Sequence, residues 1–216
     1  MKLKKHTICL FMSMAGLLLL VSDSIQAQRF SAGIIGGANA SQIDGDQLAG
    51  FDKLGLTGGL KAIVNFESAF DLHIEFLYSQ RGSKPDLFSP EYDPDIEISL
   101  RYLELPVFFT IGDWWQEEEG YHKVSAHAGL SYGRLITART FDYYNPDEAS
   151  LDLLVPYFNK NDLSWLAGIS YRMNSHFGVT ARYTRGIVPL FSPKKHGLQG
   201  ERLLSYFLTF RFEYFL

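Results

Sequence analysis

The feature that most restricts the fold of this chain is a regular alternation of apolar and polar residues over long segments. In residues 70–78, every second residue is apolar or aromatic and most of the residues between them are polar. Residues 204–216 repeat this pattern. Successive side chains of a strand point to opposite faces, so a period of two predicts strands with one apolar and one polar face.

The alternation predicts eight strands, and their length points to a membrane. The predicted strands cover residues 30–38, 54–66, 70–81, 98–111, 124–132, 163–172, 177–183 and 204–216. Most are longer than the roughly 5–6 residues typical of soluble sheets and suit tilted transmembrane strands of about 9–11 residues. A sheet in hydrocarbon must close, because unpaired backbone groups at an edge are costly there. We therefore expect an all-β fold, an eight-stranded antiparallel transmembrane β-barrel.

The links between the predicted strands alternate in length. Long links fall at residues 39–53, 82–97, 141–161 and 190–200, and shorter ones at 67–69, 112–120 and 174–175. Bacterial outer-membrane barrels distribute long external loops and short periplasmic turns in this way. The pattern thus predicts a bacterial outer-membrane protein with both termini in the periplasm.

The first 27 residues have the layout of a signal peptide. Three lysines precede an apolar stretch at residues 7–21, and small residues lead up to Gln28. The apolar stretch is shorter than the ~20 residues that a spanning helix needs. We expect cleavage after residue 27 and one barrel domain over residues 28–216. The only cysteine, Cys9, would be removed with the signal, leaving a mature chain without disulfides.

The net charge of −4 makes nucleic acid an improbable partner. The expected partners are outer-membrane lipid, the barrel-insertion machinery and other envelope or secretion proteins. No cofactor is expected.

Charged residues on the inward faces form the strongest candidate site. Arg or Lys facing lipid at the midplane costs about 2–4 kcal/mol, whereas inside a narrow barrel opposite charges neutralise one another. Seven residues are predicted to form this lumen charge network: Lys61, Glu75, Arg81, Glu104, Arg172, Arg182 and Arg211. The structural interpretation is a salt-bridged plug, since eight strands leave room for little more than side chains. The functional alternative is a proton or ligand site.

Two patterns raise the question of catalysis. Residues 129–133 match the G-x-S-x-G pattern of serine hydrolases, but that pattern requires a turn from strand to helix and here lies within an alternating segment. His73 and His127 are predicted to face the lumen, without a recognisable nucleophile, base and orienting group beside them. His122 and His127 point to opposite faces of one strand and cannot share a metal. We therefore expect no catalytic residues and no metal site.

The last predicted strand carries a candidate assembly signal. Its apolar positions, counted back from the end, are Leu216, Tyr214, Phe212, Phe210 and Leu208. An alternating aromatic terminus of this kind resembles the segment by which barrel-insertion machinery recognises outer-membrane proteins.

Three motifs resemble those of a known family. They are Gly-Ala-Asn-Ala-Ser at residues 37–41 followed by Gly45 and Asp46, Glu-Phe-Leu-Tyr-Ser-Gln-Arg-Gly-Ser at 75–83, and Tyr-Leu-Glu-Leu-Pro at 102–106. Together they are similar to the PorT-type outer-membrane β-barrel family common in Bacteroidetes. The resemblance implies a small outer-membrane barrel. The namesake of the family serves a protein secretion system, while most members have no assigned activity.

These observations give an ordered set of functional hypotheses. The first is a structural or envelope/secretion-assembly component without catalysis. The second is small-ligand binding or passive transport through the lumen, which a clear water path would favour. The third is an outer-membrane hydrolase, which would need Ser, His and a carboxylate within hydrogen-bond distance at the rim.

Overall fold

The computed structural model describes residues 30–46, 50–66, 70–85, 96–112, 121–142, 155–193 and 202–216, so the predicted signal peptide lies outside the described residues. Eight strands make up almost all of this part of the chain. They are β1 (Phe30–Asp44), β2 (Lys53–Asn65), β3 (Phe70–Ser83), β4 (Ile96–Gly112), β5 (Val124–Asp142), β6 (Asn161–Arg172), β7 (Phe177–Gly186) and β8 (Leu204–Phe215). No helix within these ranges is long and apolar enough to cross a membrane.

The strands form one closed barrel in sequence order, with every neighbour antiparallel and β1 paired to β8. The predicted eight-stranded antiparallel barrel is confirmed. Register partners followed from Ala32 around the barrel lead back to β1 at Gln42, ten residues further along the strand. A displacement of this kind accompanies the tilt of barrel strands.

The two faces of the strands differ as the alternation predicts. Apolar side chains point outward and are exposed to the surroundings, as shown by Leu60 at 62% and Phe212 at 69% exposure. Charged and polar side chains point inward and are buried, as shown by Glu75 at 1% and Arg211 at 3%. This inverted distribution suits a barrel in hydrocarbon, which takes apolar groups outside and keeps ionic groups within.

Two strands, β1 and β5, extend furthest beyond the ranges that the alternation predicts. β1 reaches Asp44 rather than residue 38, and β5 reaches Asp142 rather than residue 132. In β5 the pattern of residue types first fails at Arg134, a charged residue on the outward face. A bulge then follows: Tyr102 pairs with Leu135 and Arg101 with Thr137, which leaves Ile136 without a partner. An unpaired residue shifts the alternation by one position, so the period of two is broken there although the strand continues.

The two ends of the barrel differ in structure. We call "turn end" the end that bears the β2–β3, β4–β5 and β6–β7 links together with the start of β1 and the end of β8. The opposite end, with the other four links, is the "loop end". There a buried apolar cluster covers the lumen, formed by Ile43, Ile98, Leu100, Tyr102, Phe158, Leu190, Phe191 and Leu203. Backbone hydrogen bonds from Asn159 to Leu190 and from Leu190 to Leu203 tie two of the links together over it.

Candidate functional site: the charged lumen

Inward charges from four strands meet near the middle of the lumen in a group that we call the central cluster. Its members are Lys61 of β2, Glu75 of β3, Arg182 of β7, and Arg211 and Glu213 of β8. Glu75 Oε1 accepts from Arg211 Nη2 at 2.7 Å, and Glu75 Oε2 accepts from Arg211 Nη1 at 2.8 Å and Arg182 Nη1 at 2.9 Å. Lys61 Nζ lies 3.6 Å from Glu75 and also donates to Glu213.

Burial makes the central cluster a set of mutually dependent charges. The side chains of its five members are at most 3% exposed. A charge removed from water is tolerated when an opposite charge and hydrogen bonds compensate it, and removing one partner leaves the other uncompensated. Since three cations face two carboxylates, the central cluster carries a net charge of +1.

A second group, the loop-side cluster, lies between the central cluster and the loop end. Arg81 of β3 donates from Nη2 to Asp162 of β6 at 2.5 Å, and its Nη1 lies 3.4 Å from Glu104 of β4. The guanidinium also stacks over the rings of Tyr102 at 3.8 Å and Phe207 at 4.9 Å. The loop-side cluster has one cation and two carboxylates, the reverse of the central cluster.

Neutral polar side chains connect strands across the space between the clusters. Asn39 of β1 donates to Ser79 Oγ and to the carbonyl of Gln80, each at 3.0 Å, and accepts from Thr209 at 2.9 Å. Because strand residues alternate in direction, each of the three sequence motifs contributes its inward members to the lumen. These include Asn39 and Ser41 of the first motif, Glu75, Ser79 and Arg81 of the second, and Tyr102 and Glu104 of the third.

A serine and a histidine meet in the lumen without forming a hydrolytic pair. His127 Nδ1 lies 3.5 Å from Ser170 Oγ, while His127 Nε2 accepts from Arg182 at 3.1 Å. A ring nitrogen that accepts a hydrogen bond carries no proton, so the other nitrogen is the donor toward the serine. Catalysis requires a histidine that takes the serine proton and is oriented by an acceptor, and here an arginine donor stands in that place.

The G-x-S-x-G pattern also has a structural explanation. Ser131 lies within β5, is buried, and points into the lumen; β5 continues past it to Asp142, so no turn from strand to helix occurs there. At the neighbouring Gly129, a Cβ atom would lie 2.3 Å from the carbonyl oxygen of Val107 and 2.4 Å from Cβ of Phe108, so the glycine permits the close approach of β4. At Gly168, an added Cβ would lie 2.5 Å from the carbonyl oxygen of Ala181 and 2.7 Å from His127 Nε2.

Most of the free space described in the lumen lies toward the turn end, and little lies between the two charge clusters. A cavity of about 370 Å³, which we call the turn-end cavity, lies on the turn-end side of the central cluster. Its walls include Ser31, Asn65, Asp71, His73, Thr110, Tyr121, Arg172 and Phe215. Between the two charge clusters the void is about 10 Å³, enough for about one water molecule. The two clusters, together with the apolar cluster at the loop end, obstruct the lumen.

The structure brings together six of the seven residues predicted to form the lumen network and separates the seventh. Arg172, at the end of β6, lies outside both clusters and has no carboxylate within salt-bridge distance among the described residues. Two carboxylates that the network needs, Asp162 and Glu213, were missing from the predicted set. Glu213 was recognisable from its place on the polar face of β8, whereas Asp162 lies just before the strand predicted at 163–172.

The residues of the candidate assembly signal occupy one face of β8. Leu208, Phe210, Phe212 and Tyr214 point outward, and Leu216 follows the strand at 74% exposure. Across the described ranges, no group of three or more His, Cys, Asp or Glu side chains is arranged to hold a metal ion.

Comparison with protein families gives a match over most of the chain. The family model of the outer membrane protein beta-barrel domain matches residues 24–192. A search of curated proteins found no match.

Several solved structures are similar to this chain at low sequence identity and with TM-scores below 0.5. Ail of Yersinia pestis, solved with the heparin analogue sucrose octasulfate, is 14% identical over 87% of this chain and 99% of its own, with a TM-score of 0.45. Neisserial surface protein A is 10% identical over 86% and 95%, with a TM-score of 0.42. OprG of Pseudomonas aeruginosa is 12% identical over 86% and 96%, also with a TM-score of 0.42. These similarities concern the fold alone.

Proposed function

Because the chain belongs to the family of outer membrane protein beta-barrel domains, we propose that it acts in the outer membrane as a closed, non-catalytic scaffold for envelope or secretion assembly. In this proposal the loop end faces the outside and the turn end, with both termini, faces the periplasm. The resemblance of the three motifs to PorT-type proteins supports the assignment to secretion. Fold alone does not specify a role, so the proposal depends on the lumen and the ends.

The observation that supports this function is the obstructed lumen. Two buried charge clusters, held by pairs such as Glu75–Arg211 and Arg81–Asp162, occupy the space that a solute would have to cross. The loop end is closed by packed apolar side chains rather than left as an open mouth. A barrel of this kind offers partners its two ends and is poorly suited to passing a solute between them.

The first expected result concerns conduction. Purified protein in planar bilayers should show no large, stable conductance, since displacing the clusters means exposing buried charges that are paired with one another. A general porin in the same bilayer serves as the positive control. Reproducible porin-sized current steps from the purified barrel would contradict the scaffold role and favour passive transport instead.

The second expected result concerns partners. A photo-crosslinking amino acid at Tyr157, which is exposed at the loop end, or at Asn174, exposed at the turn end, should trap discrete envelope or secretion proteins in intact cells. The same group at Leu60, in the middle of the outward apolar face, should react with lipid and give no protein adduct. Mass spectrometry identifies the adducts. If the positions at both ends, like Leu60, give no protein adduct, the scaffold role is wrong.

A further inference from the structure

The turn-end cavity contains a cation whose surroundings differ from those of the other inward arginines. The guanidinium of Arg172 lies over the ring of Phe215 at 3.9 Å and near that of Tyr121 at 5.1 Å. Its Nη2 donates to the carbonyl of Ser175 at 3.1 Å, and its Nε, like that of Arg81, is buried without a hydrogen-bond partner among the described residues. Arg81, Arg182 and Arg211 are each paired with carboxylates.

Among the described residues around the cavity, cations outnumber carboxylates. The inward-facing residues of known placement from the central cluster to the turn end include four cations, Lys61, Arg172, Arg182 and Arg211, and three carboxylates, Asp71, Glu75 and Glu213. Both Glu75 and Glu213 are engaged by the cations of the central cluster. The carboxylate of Asp71 accepts from Asn65 at 3.2 Å, and no salt bridge among the described residues joins it to Arg172. Over the described ranges, positive charges therefore outnumber negative ones beside the cavity.

Neutral polar groups in the cavity wall are also incompletely satisfied. His73 is 8% exposed and Thr110 is 6% exposed, and both line the cavity. Neither His73 Nδ1 nor Thr110 Oγ1 has a hydrogen-bond partner within the described part of the chain. Buried polar groups in proteins are almost always paired with protein, water or ligand, so these atoms indicate a polar occupant of the cavity.

We propose that the turn-end cavity is a binding site for a small soluble anion, carboxylate or phosphate, with Arg172 as its cationic anchor. A guanidinium presents a planar set of donors that matches the oxygens of both anion types. The two rings beside Arg172 limit its rotation, which keeps the donors in place before the anion arrives. The barrel wall separates the cavity from lipid, so the anion enters from the solution at the turn end.

The site has a size and a specificity that follow from its walls. A volume of about 370 Å³ admits an anion of several heavy atoms together with water. The hydroxyls of Ser31, Thr110 and Ser170 and the amide of Asn65 surround it with further hydrogen-bonding groups. Asp71 in the same wall disfavours anions of high charge. These features favour a small polar anion of one or two charges over an apolar or highly charged ligand.

Calorimetry with inorganic phosphate tests this inference directly. The mature chain, folded in detergent micelles in a phosphate-free buffer, is titrated with inorganic phosphate and separately with acetate. Wild-type protein should show saturable, one-site binding of at least one of the two anions. Arg172→Gln should weaken it by about tenfold or more, as expected for a lost charge-assisted hydrogen bond. Arg172→Lys, which keeps the positive charge and loses the planar set of guanidinium donors, should give an intermediate affinity.

The matched control is Arg134→Gln. Arg134 is an exposed arginine on the outward face of β5 that donates to Asn161 at 2.6 Å, far from the turn end. Its substitution should leave anion binding unchanged, and the heat-dependent shift in gel mobility should show that all variants are folded. The inference is overturned if folded wild-type protein shows no saturable binding of either anion, or if Arg172→Gln and Arg134→Gln behave alike.

Discussion

Replacing Glu75 by glutamine is expected to cause the largest loss of stability of any single substitution in the lumen. The carboxylate contacts Arg182, Arg211 and Lys61, so its loss leaves three buried cations with Glu213 as the remaining carboxylate of the central cluster. Breaking a buried ion pair by removing one partner costs about 3–5 kcal/mol. We expect the free energy of unfolding in lipid vesicles, measured by urea titration, to fall by roughly that amount.

The exposed pair of Asp44 and Arg185 provides the matched control. Its side chains are 57% and 42% exposed, and its Arg Nη2 lies 3.2 Å from the carboxylate. Exposed pairs contribute about 0–1 kcal/mol, so Asp44→Asn should have little effect. Combining Glu75→Gln with Arg182→Gln should recover part of the loss because it removes one uncompensated cation. Equal stabilities for Glu75→Gln and Asp44→Asn would show that the central cluster does not stabilise the barrel.

Deleting residues 208–216 is expected to abolish insertion into the outer membrane. These residues pair with β1 from Gly33 to Ala40 and with β7, and they include Arg211 and Glu213 of the central cluster. Without them β1 would expose unpaired backbone groups to lipid, each at a cost of several kcal/mol. Cell fractionation should find the truncated chain degraded or accumulated in the periplasm, with none in the outer membrane.

The substitution Phe212→Ala distinguishes an effect on barrel closure from an effect on recognition by the insertion machinery. Phe212→Ala removes an outward aromatic side chain that is 69% exposed and keeps every backbone pair of β8. If the alternating terminus is an assembly signal, this variant should insert more slowly than wild type in a reconstituted insertion assay, although it remains able to close. Lys160→Ala, an exposed change at the loop end, should insert at the wild-type rate. Normal insertion of the truncated chain would refute both the closure and the signal.

The local sequence pattern was sufficient to predict which strand residues face the lumen, but it did not predict where β1 and β5 end. Every second residue of a strand points the same way wherever the strand lies, so Glu75 and Arg211 were assigned to the lumen from sequence alone. The end of β5 was missed because Arg134 places a charge on the outward face and because the bulge at Ile136, which depends on how β4 pairs with β5, shifts the alternation. The end of β1 was missed because Ser41, Gln42 and Ile43 are all buried near the loop end, where covering residues remove the contrast between faces.

Which charged side chains pair with one another across the lumen depends on the closed barrel and could not be predicted from the sequence. Glu75 and Arg182 are 107 residues apart, and they meet because strand tilt and the ten-residue displacement bring their positions to similar heights on opposite walls. The same geometry places Arg81 against Asp162 and leaves Arg172 at the turn end without a salt-bridged carboxylate in the described part of the chain. Alternation is a property of neighbours along the chain and is visible in the sequence. Pairing across the lumen depends on the register of all eight strands at once, which is defined when β8 closes on β1.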